Sequence, residues 1–240
     1  MNTVGIIGGL GPESTSRFYL TLQHLHANSS QSSRMKALIY SVPVPYCLEE
    51  STLTNNNNKV AQYLPLLIEA AMTLEAANVT LIVMPCNTLH CFIQQIRESV
   101  SVPVLDMVAL VSQYVKQAGF KRAGFKRVGL LATSQTITSE VYHKEFSTSN
   151  IHVITPGRHI QRGLDNYIHN QVLNHNEFNH KQSKLAPFIK SVEYLINNDV
   201  DIVILGCTEL SDLVDQNFKT PVVNSLDILA QAVIDFVVIE

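Results

Sequence analysis

The sequence predicts an α/β fold of two pseudo-symmetric domains, each a small parallel β-sheet flanked by helices. Three observations predict it. Short runs rich in Val, Ile and Leu alternate with longer stretches of helical periodicity. The runs are continuously apolar, as in strands buried on both faces of a parallel sheet. Three landmarks also recur in the same order at nearly constant spacing. Val4-Gly5-Ile6-Ile7 resembles Val128-Gly129-Leu130-Leu131. Val83-Met84-Pro85-Cys86-Asn87-Thr88 resembles Ile204-Leu205-Gly206-Cys207-Thr208-Glu209. Pro103-Val104-Leu105-Asp106 resembles Pro221-Val222-Val223-Asn224. This repeat favours two halves over one closed eight-stranded barrel, for which 240 residues would also suffice.

In chain order, the strand candidates of the first half are Val4–Ile7, Ala37–Tyr40, Leu81–Met84 and Val102–Leu105. Those of the second are Val128–Leu131, Ile151–Ile154, Ile202–Leu205 and Val222–Val223. Lys59–Ala77 places Val60, Tyr63, Leu64, Leu67, Ile68, Ala71 and Leu74 mostly at helical spacing, and Leu226–Ile239 has Leu226, Leu229, Ala230, Val233, Ile234 and Val237 on a similar stripe. A further helix is expected over Ile137–Phe146. Pro43–Asn58, with two prolines and four consecutive asparagines, reads as a loop near the strand ends. Ala118-Gly119-Phe120-Lys121-Arg122 is repeated at once as Ala123-Gly124-Phe125-Lys126-Arg127. It reads as a duplicated linker between a helix and a strand, with a small basic patch as the alternative.

Composition narrows the function. With 46% hydrophobic and 15% charged residues, the chain has ample material for a core. The 17 basic residues are dispersed against 20 acidic ones, a formal charge of −3, which argues against nucleic acid as a partner. No apolar run of about 18 residues offers a membrane span. The N-terminus enters a strand pattern directly, without the charged and apolar regions of a secretory signal. Four cysteines in this length do not make a disulfide scaffold, so a cytoplasmic protein with reduced thiols is expected.

Two of those cysteines carry the argument. Cys86 follows a strand and Pro85, then Asn87 and Thr88 open a helical stretch. A thiol there gains thiolate character from the helix N-terminus. Its plain alternative is a small buried hydrophobe. Cys207 stands at the equivalent place after Gly206, with Thr208 and Glu209 following. Two unrelated core cysteines rarely land on matching positions, so a functional pair is favoured. Facing thiols can form a disulfide, bind a metal, or act as acid and base on opposite faces of one carbon. His90 shares a helix face with Cys86 and Cys91 lies beside it, but no metal-ligand spacing appears. No metal is therefore expected, and His90 reads as a supporting or satisfied helix histidine. Cys47 has no counterpart in the second half and reads as incidental.

The first strand ends in Gly8-Gly9-Leu10-Gly11-Pro12. The third glycine of a dinucleotide loop is missing, since Ser14 stands there, and no acidic residue ends the second strand. Gly9 and Gly11 are instead expected to bring backbone N–H groups near a small anion. The matching loop of the second half holds Thr133, Ser134 and Thr136, which either cap the next helix or bind a carboxylate. Arg162 is a candidate cation for that carboxylate, with a surface arginine as the plain alternative.

Taken together, four pieces resemble the aspartate/glutamate racemase family of cofactor-independent amino-acid racemases. They are Gly5-Ile6-Ile7-Gly8-Gly9-Leu10-Gly11-Pro12-Glu13-Ser14-Thr15, Met84-Pro85-Cys86-Asn87-Thr88-Leu89-His90, Val128-Gly129-Leu130-Leu131-Ala132-Thr133 and Ile204-Leu205-Gly206-Cys207-Thr208-Glu209-Leu210. The resemblance implies an active site between two domains, 1–105 with 225–240 and 106–224, the C-terminal helix packing back on the first. It implies catalysis by Cys86 and Cys207 on a small amino-acid substrate, with neither pyridoxal phosphate nor metal, and a homodimer. It places Gly9, Gly11, Asn87, Thr88, Thr133, Thr136, Thr208 and Glu209 at the substrate, with Arg162 near a position where relatives carry a basic residue.

One departure bears on specificity. Aspartate-specific relatives often place an Arg after the second strand, where this chain reads Val44-Pro45-Tyr46-Cys47. The expected activity is therefore racemisation of aspartate, glutamate or a broader set. The rivals are a hydantoin racemase, maleate isomerase or arylmalonate decarboxylase reaction on the same scaffold, a non-catalytic binding module, and a thiol-redox switch.

Overall fold

The computed structural model describes residues 2–29, 33–53, 57–120, 124–173, 185–213 and 220–239. Residues 54–56, with the first two asparagines of the run, and residues 121–123 of the tandem linker lie outside them. The chain forms two compact units, Met1–Leu110 with Leu226–Glu240, and Val111–Ser225.

The first unit opens with β1 (Thr3–Gly8), wholly buried, and α1 (Pro12–Asn28). Pro12 starts α1 where a missing N–H costs nothing, and Glu13 faces the positive end of its dipole. Then come β2 (Lys36–Ser41), α2 (Tyr46–Leu53), α3 (Asn57–Val60), α4 (Tyr63–Ala76) and β3 (Leu81–Val83). A 3-10 turn over Thr88–Phe92 runs into α5 (Ile93–Ser99), and α6 (Met107–Phe120) follows, in the first unit as far as Leu110. The strands are parallel in the order β2-β1-β3, with Ile6 opposite both Ile39 and Val83.

The second unit has β4 (Arg127–Leu131), α7 (Ser134–Thr138), α8 (Val141–Phe146), β5 (His152–Ile154), α9 (Arg158–Leu173) and α10 (Ala186–Asn197). These lead to β6 (Ile202–Leu205), a 3-10 turn over Thr208–Leu213 and β7 (Val222–Asn224). The last helix, α11 (Ser225–Ile239), belongs to the first unit from Leu226 onward. The parallel order of the second sheet is β5-β4-β6-β7. Both sheets thus share one plan: first strand central, second on one side, third on the other. Beside the third strand comes Val104 in one unit and β7 in the other. Even the hydrogen bonds repeat: Ile82 N–H donates to Pro103 O and Val203 N–H to Pro221 O, each at 2.9 Å. The fold is α/β with two parallel sheets, as the sequence predicts.

Four local expectations are corrected. Val102–Leu105 contributes one bridge, Ile82 to Val104, and no strand, because Pro103 has no N–H for a ladder. Lys59–Ala77 is broken between α3 and α4, since Pro65 cannot donate to Ala61 across the junction. The helix expected over Ile137–Phe146 is two, α7 and α8, separated where Glu140 takes a left-handed φ of 58°. Pro43–Asn58 is not all loop but contains α2 and the start of α3. β2 is also less buried than its apolar run suggests, with Leu38 and Ile39 37% and 44% exposed at the sheet edge.

Candidate active site

The chain leaves β3 at Val83 and turns over the strand's carboxyl end, where Cys86 N–H donates to Met84 O at 2.8 Å. Ligands of open parallel sheets sit at such ends. Cys86 is 8% exposed and packs in the apolar cluster that includes Met84, Leu89 and Ile96. Asn87 is buried and Thr88 half-buried at the start of the 3-10 turn. The segment after Cys86 therefore begins as 3-10 helix and becomes α-helix only at Ile93, whereas the sequence suggested an α-helix start.

His90, 2% exposed, ties this turn down. Its Nδ1 lies 2.6 Å from Cys86 O, and its Nε2 accepts the Met107 N–H at 3.0 Å. Accepting at Nε2 requires the proton on Nδ1, so the ring is neutral and donates to Cys86 O. Burial pushes its pKa below the ordinary histidine value, with Asp106 opposing. Asp106 caps α6 through Val108 N–H (2.9 Å) and Ala109 N–H (3.0 Å). Arg97 lies 3.9 Å from the Asp106 carboxylate and donates twice to Val104 O. His90 is thus a satisfied histidine that positions the Cys86 turn.

The glycine loop serves itself first. Gly9 N–H donates to Thr15 Oγ1 at 2.9 Å, and Thr15 Oγ1 donates to Gly11 O at 2.9 Å. Gly9 has φ +80°, and a Cβ there would lie 2.8 Å from Ser41 Oγ and 2.9 Å from Val42 N. The Gly9 N–H thus has a partner within its own loop. Thr15, not singled out from sequence, is the residue that holds the loop.

In the second unit, Gly206 lets the chain cross close to β4, since a Cβ there would meet Leu130 Cδ1 at 2.6 Å. Cys207 follows, 5% exposed. Its thiol donates to Glu209 Oε2 at 3.0 Å, and Thr208 Oγ1 donates to the same oxygen at 3.1 Å. Cys207, Thr208 and Glu209 thus form one hydrogen-bonded group. The glutamate expected at the substrate has its carboxylate on the thiol.

After β4, Thr133 Oγ1 accepts Thr136 N–H at 3.1 Å and lies 2.9 Å from Thr136 Oγ1. Thr133 is therefore the cap of α7 and is joined to Thr136. Ser134 N–H donates to Asp165 Oδ1 at 2.8 Å. Gln161 Nε2 donates to Ala132 O at 2.9 Å and to Asp165 Oδ1 at 3.1 Å. Arg162 is exposed on α9 and makes no ion pair among the described residues. It is the neighbouring Gln161, with Asp165 one helical turn on, that meets the Thr133 loop. Their four-residue spacing was the available signal. Cys47 is exposed and Cys91 half-buried, and neither these nor Cys86 and Cys207 are in disulfides. Among the described residues no helix is long and apolar enough to cross a membrane, and no three His, Cys, Asp or Glu side chains cluster to hold a metal.

Two matched parallel sheets, each with a buried cysteine beyond the strand next to its first, describe a duplicated α/β protein with a thiol site in each half. The family model of the Asp/Glu/Hydantoin racemases matches residues 7–233. The chain belongs to that family and is by class a racemase, an isomerase. It is 28% identical over 236 residues to the broad specificity amino-acid racemase RacX of Bacillus subtilis, covering 96% of each chain. It is similar to a crystal structure described as an aspartate racemase homologue from Pyrococcus horikoshii, with TM-score 0.75 and 25% identity over 98% of this chain and 99% of that one. The aspartate racemase of Picrophilus torridus shares the fold, with TM-score 0.76 and 24% identity over 98% and 94% of the two chains.

Proposed function

We propose that the protein is a cofactor-independent racemase of amino acids, acting on aspartate, glutamate or a broader set by two-base proton transfer between Cys86 and Cys207. One sulfur, as thiolate, removes the α-proton and the other, as thiol, returns one to the opposite face. The carrying observation is the equivalent setting of the two cysteines, each buried beyond the carboxyl end of the strand beside the first in its sheet. An α-proton is a very weak acid, so the site has to stabilise the developing carbanion electrostatically and exclude water. The polar groups for this reading are Asn87, Thr88, Thr133, Thr136 and Thr208, with Gly9, Gly11 and Arg162 in supporting places. The similarity to a broad specificity racemase, together with Val44-Pro45-Tyr46-Cys47 where aspartate-specific relatives often carry an Arg, favours a broad side-chain range. The rest of the reading is a homodimer working in the cytoplasm, needing neither pyridoxal phosphate nor metal.

The test is proton NMR of L-aspartate and L-glutamate, then of a wider amino-acid panel, in D₂O with reductant and chelator and no added cofactor. Loss of the α-proton signal, with both enantiomers recovered by chiral chromatography, is expected. Silence across the panel overturns the proposal.

A further inference from the structure

The two cysteines stand at matched positions but in unlike company. The residue two after Cys86 is the neutral Thr88, while the residue two after Cys207 is Glu209, whose carboxylate accepts the thiol hydrogen at 3.0 Å. We propose that Glu209 sets the direction of the proton relay, holding the proton on Cys207 so that the resting enzyme pairs a Cys86 thiolate with a Cys207 thiol. This rests on the two-cysteine reading above and assigns the roles that reading leaves equal.

The physics is that of a hydrogen bond to the neutral form beside a like charge. A carboxylate that accepts the S–H bond stabilises the thiol, and it repels the thiolate left when the proton departs. Half-burial of Glu209 and near-complete burial of Cys207 weaken the screening by water. Thr208 Oγ1 donates to the same oxygen and keeps the carboxylate aimed. Asp212 on the same turn adds negative charge. Burial, and after it the Asp212 charge, keep Tyr167 of α9, which packs on that turn, in its neutral form. Of the remaining α9 groups, Asp165 is engaged by Ser134 and Gln161, and Arg162 is exposed. Arg158, His159 and His169 complete that helix's ionisable side chains. At Cys86 the matching place is held by the neutral Thr88, and the neutral His90 donates to the backbone carbonyl.

The step balances without a co-reactant. As the Cα–H bond breaks on one face, an S–H bond forms on Cys86. As the Cys207 S–H bond breaks, a new Cα–H bond forms on the other face. The product state holds a Cys207 thiolate against Glu209, and proton exchange with water returns the free enzyme to its resting form. One enantiomer therefore binds the abundant protonation state and the other a scarce one. The overall equilibrium constant of racemisation is one, so kcat/KM must be equal in both directions. The asymmetry appears as kcat and KM both larger for the enantiomer that binds the scarce state.

The experiment is iodoacetamide modification across pH, read peptide by peptide by mass spectrometry so that Cys47 and Cys91 are counted separately. In the wild-type protein Cys86 is expected to react at lower pH than Cys207. In Glu209→Gln the Cys207 midpoint is expected to fall by about one pH unit or more, with Cys86 unmoved. The kcat and KM values of the two enantiomers should converge in the same variant. Cys207 reacting first, or a Cys207 profile unmoved by Glu209→Gln, overturns the inference. The wild-type order alone decides if the variant does not fold. Racemisation with the reverse order overturns only this assignment. The expected order without racemisation overturns the proposed function and leaves the Cys207–Glu209 relation standing.

Discussion

The turns after Cys86 and Cys207 are built on one plan and fastened differently. Four residues beyond each cysteine, a side chain reaches the start of the helix that follows the fourth strand position. In the first half His90 Nε2 accepts Met107 N–H at the head of α6. In the second Ser211 Oγ donates to Asn224 Oδ1, at 3.0 Å, just before α11. The histidine reaches two ways, since its Nδ1 also holds Cys86 O, while the serine makes one neutral bond. Conversely, the second thiol has a carboxylate partner within its own turn and the first has a threonine at that place. A duplicated scaffold thus keeps the position of its reactive atoms while their surroundings diverge. In a two-base reaction the two sulfurs need different protonation states at any moment.

The most damaging change to that picture is loss of either sulfur. Cys86→Ser and Cys207→Ser should each lower racemisation by about 10³-fold or more, because serine is a far weaker base and acid at neutral pH. Each variant should still exchange the α-proton of one enantiomer in D₂O, the two variants choosing opposite enantiomers. Wild-type racemisation in both variants breaks the comparison at its root.

Next in size is His90→Ala. It withdraws the donor to Cys86 O and the acceptor of Met107 N–H, both buried, at a cost of about 2–4 kcal/mol in urea unfolding at neutral pH. The cost should depend on pH. The pKa of His90 is lowered in the fold, so the unfolded chain takes up its proton first as pH falls below about 6.5. The stability from keeping the ring neutral is fully present above that pH and is lost progressively below it. The gap between wild type and His90→Ala should therefore narrow from pH 7.5 to pH 5. A constant gap means that the ring is not held neutral.

Much of this comparison was legible in the sequence, and the missing part has a physical reason. The repeat exposed the two sheets and the matching cysteines, because a parallel strand and the turn after it are local patterns of apolar and small residues. Thr133 was legible as a cap for the same reason, lying three residues before the N–H it receives. Contacts that depend on chain crossing were not. His90 reaches Met107 across 17 positions, and Gln161 reaches Ala132 across 29, so no local pattern announces either. The Glu209 carboxylate is a different case. It lies only two residues from Cys207, but whether a side chain on a 3-10 turn folds back on the thiol or points outward is a choice of rotamer, which sequence spacing does not fix. Charge draws attention to Arg162, while the uncharged Gln161 beside it makes the contact with the loop after β4.

The smallest expected effect sharpens the comparison most, since it tests the fastening alone. Ser211→Ala removes one neutral hydrogen bond in a site where both residues are only 8% exposed. A single bond of this kind is worth about 1 kcal/mol, at most half the cost expected of His90→Ala at neutral pH. Neither serine nor asparagine titrates in this range, so the cost should stay the same from pH 7.5 to pH 5. Urea unfolding should show a lowered midpoint with an unchanged slope, because no added surface is exposed. If Ser211→Ala costs as much as His90→Ala, or gains a pH dependence, the two turns are fastened alike. The difference between the halves then reduces to the carboxylate beside Cys207.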